Sequence, residues 1–282
     1  LSDRLNVKNN FIFQSIFGRN ENKDLSLDLL NAVLNLPTGR QLTDLEIIEN
    51  TRLLKEYPKD KLGILDIKAR ANTGEWINIE IQLFNKNDMD QRTLFYWAKL
   101  FSGQIKEGDP YKTLKKAITI NILDYNFIKI DDYHTVFHLY EDRRRDYKLT
   151  DMLEIHFVEL PGFRQSARDP RNHLDGWLFY IENSPKEVLD MAIQANPAIA
   201  RAEELLQRLG SLEEVRRYYD ALEKATRDEV SHMATAWEEG EARGEIKALM
   251  KTAGNMLAKG LSDELIMEMT GLTLDEIAKL KN

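Results

Sequence analysis

Every stretch of strand-type alternation in this chain lies ahead of Pro161-Gly162, and from about residue 173 onward the apolar residues recur only at helical spacing. A chain divided in this way builds its sheet from the first part and has only helices to offer in the second. Two helices are expected early, over 8–18 with Phe11, Ile12, Ile16 and Phe17, and over 23–35 with Leu25, Leu29, Leu30, Val33 and Leu34. Pro37-Thr38-Gly39 stops the second. A short strand at 45–50 precedes a hairpin of 62–71 and 76–84 around the turn signal Asn72-Thr73-Gly74. A helix over 88–107 is closed by Gly108-Asp109-Pro110, and strands are expected at 117–125, 133–140 and 152–160. The expected class is α/β, with a first domain over 1–164 and an all-helical C-terminal region over 165–282 ending in a short helical hairpin.

The formal charge of −8 argues against a protein that coats nucleic acid through bulk positive charge. The acidity is uneven, however. Residues 165–282 carry 15 basic and 22 acidic side chains, whereas 51–129 carries 14 basic and 10 acidic. Nucleic acid therefore remains an admissible partner of the first part. The chain has no cysteine, which removes disulfides, thiolate zinc sites and cysteine nucleophiles and fits a reducing compartment. It has neither an apolar run of roughly 18–20 residues nor a basic-then-apolar leader, so a cytoplasmic protein without a membrane partner is expected. P-loop, G-x-G-x-x-G and G-x-S-x-G motifs are absent.

The hairpin carries the chemistry. In its second strand Ile77, Ile79, Ile81 and Leu83 share one face, and Trp76, Asn78, Glu80 and Gln82 the other. In its first strand Leu65, Ile67 and Ala69 alternate with Ile64, Asp66 and Lys68. A two-residue loop would set Asp66 opposite Ile81. A three-residue loop with Gly74 in the left-handed position sets Asp66 opposite Glu80 and keeps polar groups together, and is the expected register. Opposed residues have Cβ atoms about 4.5–5.5 Å apart, a distance at which two carboxylates repel unless a cation lies between them. The pattern fits a hard-oxygen site for Mg²⁺ or Mn²⁺. Spacing alone fits an ordinary solvent-facing side of a hairpin as well, and favours it.

Other features bear on function less directly. Arg92, Lys99 and Lys106 recur every seven residues, while Leu94, Phe95, Ala98, Phe101 and Ile105 are expected to supply the buried side of the same helix. These cations suit a DNA backbone or a solvated helix face, with Lys112, Lys115 and Lys116 extending the patch. Tyr96 and Trp97 read as core or flank, and Arg143-Arg144-Arg145, flanked by acids, as a loop. His134 and His138 alternate on one strand with no third ligand evident. Near the C-terminus, Gly260-Leu261-Ser262 and Gly271-Leu272-Thr273 each pair a glycine stop with a hydroxyl N-cap, and Thr273 with Glu276 makes a capping box. The arrangement superficially resembles a helix-turn-helix. Asp275 and Glu276 beside Lys279 and Lys281 make a poor DNA-reading helix, so packing or homo-oligomer formation through these helices is expected instead.

Ile64-Leu65-Asp66-Ile67-Lys68 followed by Asn78-Ile79-Glu80-Ile81-Gln82 resembles the D…E-x-K core of PD-(D/E)XK nucleases, with glutamine at the lysine position. Its surroundings, Asp60 to Asp66, Arg92 to Leu100, Ile120 to Asp124 and Leu153 to Leu160, resemble the Rpn family of recombination-promoting nucleases, also described as PD-(D/E)XK family transposases. The resemblance spans roughly residues 5–165. It implies a restriction-endonuclease-like fold and Mg²⁺-dependent DNA endonuclease activity in recombination or in mobile-element and defence DNA processing. It also implies Asp66, Glu80 and the Ile81 carbonyl as metal ligands, with Gln82 placing water or phosphate. Lys68, on the predicted polar face, is a candidate for the missing positive charge. In Asn9-Asn10-Phe11-Ile12-Phe13-Gln14, Asn10 stands where the family has an acid and Gln14 where it has lysine. An amide at position 10 still accepts a hydrogen bond from water, but it brings no charge. A degenerate nuclease fold acting as a DNA-binding or protein-interaction module is the alternative.

Overall fold

The computed structural model describes residues 4–48 and 67–281, apart from the side chains of 233 and 236. The chain divides into two compact units, Leu1–Tyr219 and Asp220–Asn282. The first unit opens with α1 (Asn10–Phe17), where Asn9 caps the helix by accepting the Phe11 N–H and where Ile12, Phe13, Ile16 and Phe17 are buried. In α2 (Lys23–Leu34) the stripe Leu25, Leu29, Leu30 and Val33 is buried in the same way, and Asn35 ends the helix in the left-handed region at φ 45°.

Six strands form one mixed sheet in the order β1-β2-β3-β4-β6-β5. They are β1 (Leu45–Ile48), β2 (Ile67–Ala71), β3 (Trp76–Gln82), β4 (Ala117–Leu123), β5 (His134–Tyr140) and β6 (Lys148–Glu159). The first three make an antiparallel meander. The helix α3 (Met89–Ser102) then crosses over, so that β4 joins β3 in parallel, β6 joins β4 in parallel, and β5 closes the edge antiparallel to β6.

The two faces of the central strands differ in chemistry. Ile77, Ile79 and Ile81 lie beside Ile118, Ile120 and Ile122, all buried, and pack with α1 and α2 into the main core. The other face sets Asn78 beside Thr119 and Glu80 beside Asn121, with Met89, Leu123, Ile155 and Phe157 forming a smaller apolar cluster. Four helices follow the sheet: α4 (Leu160–Arg164), α5 (His173–Ile181), α6 (Lys186–Ala195) and α7 (Pro197–Ser211). Trp177, Leu178, Ala192, Ile199 and Leu206 from α5 to α7 belong to the same core as the sheet. The division expected after residue 164 therefore falls inside the first unit. What ends near 160 is the sheet, and its apolar face is completed by helices from beyond that point.

The buried side of α3 also differs from the expected one. Met89, Thr93, Tyr96 and Leu100 are buried, while Leu94 and Phe95 are exposed. The choice between two overlapping apolar stripes was settled by what the sheet presents: a polar layer, met by Thr93, beside an apolar cluster that includes Met89.

The 46-residue α8 (Glu213–Ala258) runs into the second unit, where α9 (Asp263–Thr270) and α10 (Leu274–Lys279) follow. Ala253, Ile266, Leu272 and Ile277 are its buried centre, packed by Met250, Met256, Leu257 and Leu261. Ser262 caps α9, Gly271 takes φ 73° at its end, and Thr273 with Glu276 forms the capping box legible in the sequence. Among the described residues no helix is long and apolar enough to cross a membrane.

Candidate active site

The hairpin turn sets the geometry of the polar face. Gly74 takes φ +105°, its N–H donates to the Ala71 carbonyl at 2.9 Å, and the Ala71 N–H donates to the Glu75 carbonyl at 2.9 Å. Ile67 stands opposite Ile79, Lys68 opposite Asn78 and Arg70 opposite Trp76, which is the register of the three-residue loop. Asp66 itself, with the rest of 49–66, lies outside the described residues.

Glu80 sits on β3 beneath α3 and is only 2% exposed. Its Oε1 accepts a hydrogen bond from Arg92 Nη2 at 2.7 Å, while its Oε2 has no partner among the described residues. Beside it, Asn121 donates through Nδ2 to Thr93 Oγ1 and to the His156 carbonyl, each at 3.0 Å. Asn121 Oδ1, Thr119 Oγ1 and both side-chain polar atoms of Asn78 are buried without a partner among the described residues. An unsatisfied buried polar atom costs about 1–3 kcal/mol. Partners for such a layer come from water, from a bound group or from residues outside the described ones. Tyr125, just past β4, borders the layer. Burial first, then Asp88, pushes its phenol up to about 12, so it remains a neutral hydroxyl.

Ile81 turns its side chain into the main core, leaving only its main chain to the polar side. Gln82 ends β3, and its carbonyl accepts the Asp124 N–H at 2.9 Å. Lys8, two residues ahead of α1, pairs with Asp124 at 2.7 Å, which ties the start of α1 to the C-terminal ends of β3 and β4. Asn10 is the first residue of α1, and its Oδ1 is buried without a partner among the described residues. Gln14 is buried in the same helix.

Arg92, Lys99 and Lys106 do not form one cationic row. Arg92 turns toward Glu80 and lies over the Tyr96 ring at 5.1 Å. Lys99 is exposed on α3, whereas Lys106 lies beyond the helix, which stops at Ser102. Lys116 pairs with Glu154 at 2.6 Å and is withdrawn from the expected patch.

That last pair opens a cluster that strand-by-strand reading missed. On the main-core face of the sheet edge, Glu154 Oε2 meets Lys116 and, at 2.9 Å, His138 Nε2. Glu154 Oε1 meets His156 Nε2 at 2.9 Å, and His156 Nδ1 meets His134 Nε2 at 2.9 Å. Burial opposes ionisation of Glu154, but the His156 hydrogen bond and Lys116 outweigh it and hold the carboxyl well below its usual range. His134 is pushed down to about 4 by burial and by the neighbouring His156. The signal was two alternating pairs, His134 with His138 and Glu154 with His156, on consecutive strands; bulges between Phe137 and Tyr140 obscured their alignment.

Among the described residues no three His, Asp or Glu side chains converge to hold a metal. The buried Glu80 carboxylate, with one oxygen unpartnered and amide oxygens in the same layer, is a hard donor set that fits Mg²⁺ or Mn²⁺.

Residues 7–236 match the family described as PD-(D/E)XK nuclease family transposase. Residues 247–282 match the C-terminal HTH domain of the Rpn/YhgA-like nuclease family. The second match corrects the preference for a packing device at the C-terminus: α9, the Gly271 turn and α10 belong to a helix-turn-helix domain. No curated protein and no solved structure matches the chain.

Proposed function

Since the chain belongs to the PD-(D/E)XK nuclease family transposases and carries the C-terminal helix-turn-helix domain of Rpn/YhgA-like nucleases, we propose that it is a divalent-metal-dependent DNA endonuclease. Its action would lie in recombination or in mobile-element and defence DNA processing, which goes with a cytoplasmic location. The observation that carries this reading is the buried Glu80 carboxylate, one oxygen of which lacks a partner, on a strand whose register is that of the D…E-x-Q hairpin.

Asp66, Glu80 and the Ile81 carbonyl would hold Mg²⁺ or Mn²⁺. When bound, the ion supplies Lewis acidity toward the phosphate and lowers the pKa of a coordinated water. Gln82 orients water or phosphate through its amide without contributing charge. Asn10 Oδ1 accepts a hydrogen bond from water near the strand ends. In the hydrolysis the water oxygen bonds to phosphorus and the bond to the 3′ oxygen breaks. The water's proton passes through solvent to the leaving oxygen, giving a 5′ phosphate and a 3′ hydroxyl. Lys68, Lys99 and Lys106 would neutralise backbone phosphates, adding sequence-independent and salt-sensitive affinity. The helix-turn-helix domain offers a second DNA contact.

The second reading, a binding module without cleavage, is favoured by Asn10 and Gln14, which stand where charged family residues are expected. Calorimetric titration of the full chain with Mn²⁺ separates the two. The endonuclease reading predicts binding that Glu80→Gln and Asp66→Asn each weaken by at least about tenfold, in line with the loss of a charged ligand. DNA binding without any carboxylate-dependent Mn²⁺ binding would establish the module instead.

A further inference from the structure

A carboxylate as buried as Glu80 is stable only beside a counter-charge. Among the described residues the cation that meets it is Arg92, at 2.7 Å. Arg92 comes from the first turns of α3, is held over the Tyr96 ring at 5.1 Å, and keeps 28% of its side chain in contact with solvent. It therefore bridges the buried carboxylate and the surface from which a phosphate would arrive.

The position that carries lysine in the D…E-x-K pattern is here Gln82, which cannot supply charge. Of the other nearby cations, Lys68 stands opposite Asn78, two residues along β3 from Glu80. Lys99 is seven residues along α3 from Arg92, about 10 Å at the helical rise. Neither has an ion pair with Glu80. A guanidinium presents donors in a rigid fork that suits phosphate oxygens as well as carboxylates.

We propose that Arg92 is the catalytic cation of this site. With the metal absent it is the counter-ion of Glu80; with metal and DNA in place it turns its fork to the scissile phosphate and stabilises the charge that develops there. This assignment rests on the endonuclease reading, and it takes Arg92 out of general backbone binding. Two consequences follow from one geometry. Arg92 opposes a divalent ion in its approach to Glu80, because the two cations share one carboxylate. Its removal then strengthens metal binding while it abolishes turnover. A residue that only props up Glu80 would do the opposite with metal, since losing the prop would disorder the ligand.

The test compares wild type, Arg92→Gln and Arg92→Lys as full chains, by calorimetric titration with Mn²⁺ and by nicking of supercoiled plasmid in Mg²⁺. Expected for Arg92→Gln is Mn²⁺ affinity raised by about tenfold, from loss of one like charge near the site, and nicking lowered by at least about 100-fold, as for other preorganised charge-stabilising donors. Arg92→Lys keeps the charge but not the rigid fork, so its Mn²⁺ affinity stays near wild type while its nicking falls to between wild type and Arg92→Gln. Nicking by Arg92→Gln at the wild-type rate, or Mn²⁺ affinity that falls, overturns the assignment. If Arg92→Gln does not fold, Arg92→Lys decides: reduced nicking with Mn²⁺ affinity near wild type supports the assignment, whereas Mn²⁺ affinity that falls by about tenfold or more shows that the side chain only holds Glu80 in place and overturns it. Wild type that binds no Mn²⁺ and nicks nothing overturns the endonuclease reading and this assignment with it. Wild type that binds and nicks, with Arg92→Gln indistinguishable from it, overturns this assignment alone.

Discussion

Replacing His134 by phenylalanine is expected to make the fold less sensitive to acid. The folded protein holds His134 at about 4, against an ordinary value of 6.5, through burial and the adjacent His156. The unfolded chain takes up a proton on this ring from about pH 6.5 downward, and the folded chain does not until about pH 4. The stability contributed by neutral His134 is therefore complete above pH 6.5 and is lost as pH falls toward 4. The fall from 6.5 to about 4 corresponds to a loss of about 2 kcal/mol at pH 5 and about 3 kcal/mol at pH 4. Glu154, held below its usual range by His156 and Lys116, acts in the same direction at lower pH, because its contribution is present above the unfolded value and lost below it. A phenyl ring at position 134 keeps the near-parallel packing on His156, whose ring lies 5.2 Å away at 28°, and removes the titration. Urea denaturation of both proteins at about pH 7.5, 5 and 4 gives the difference directly. The wild type should lose about 3 kcal/mol more than the variant across that range, at unchanged m-values. Parallel pH dependences for the two proteins would show that His134 is not held neutral by this cluster.

Three further outcomes are expected from particular contacts. Asp28 Oδ1 accepts from Trp177 Nε1 at 2.7 Å, and from His173 Nε2 and Asn196 Nδ2 at 2.9 Å each, so Asp28→Ala should cost about 2 kcal/mol by urea denaturation; an unchanged midpoint would contradict it. Gly74→Ala meets no clash closer than 3.5 Å but must adopt φ +105°, so a loss of about 1–2 kcal/mol is expected from backbone strain alone. Thr273→Ala removes the acceptor for the Glu276 N–H and should cost about 1 kcal/mol, read as faster hydrogen exchange within α10 and none within α1.

Local signals were the most legible part of the chain. The capping box at Thr273 and Glu276, the left-handed Gly74 and the hairpin register all depend on residues within a few positions of one another, so the sequence holds their whole cause. The apolar stripes of α1 and α2 were equally plain, because one face of each is buried against a single core. The α3 face was not, since two apolar stripes overlap on it and only the sheet's polar layer selects Met89, Thr93, Tyr96 and Leu100. The expected limit at 164 differs from the end of the first compact unit at Tyr219 for a similar reason: a change of period reports where strands stop, not where burial stops. In the site, Glu80 and its polar face could be read from alternation. The partners Arg92, Thr93, Thr119 and Asn121 could not, because they arrive through the α3 crossover and the parallel β3–β4 pairing. The Glu154 and histidine cluster needed the β5–β6 register, which bulges conceal.

The most direct test of the central claim is the rate of supercoiled-plasmid nicking in Mg²⁺ by the wild type and by Glu80→Gln. The account predicts nicking by the wild type and a rate at least about 100-fold lower for the variant, which lacks the charge of the carboxylate proposed to hold the metal. Equal rates for the two proteins would contradict it.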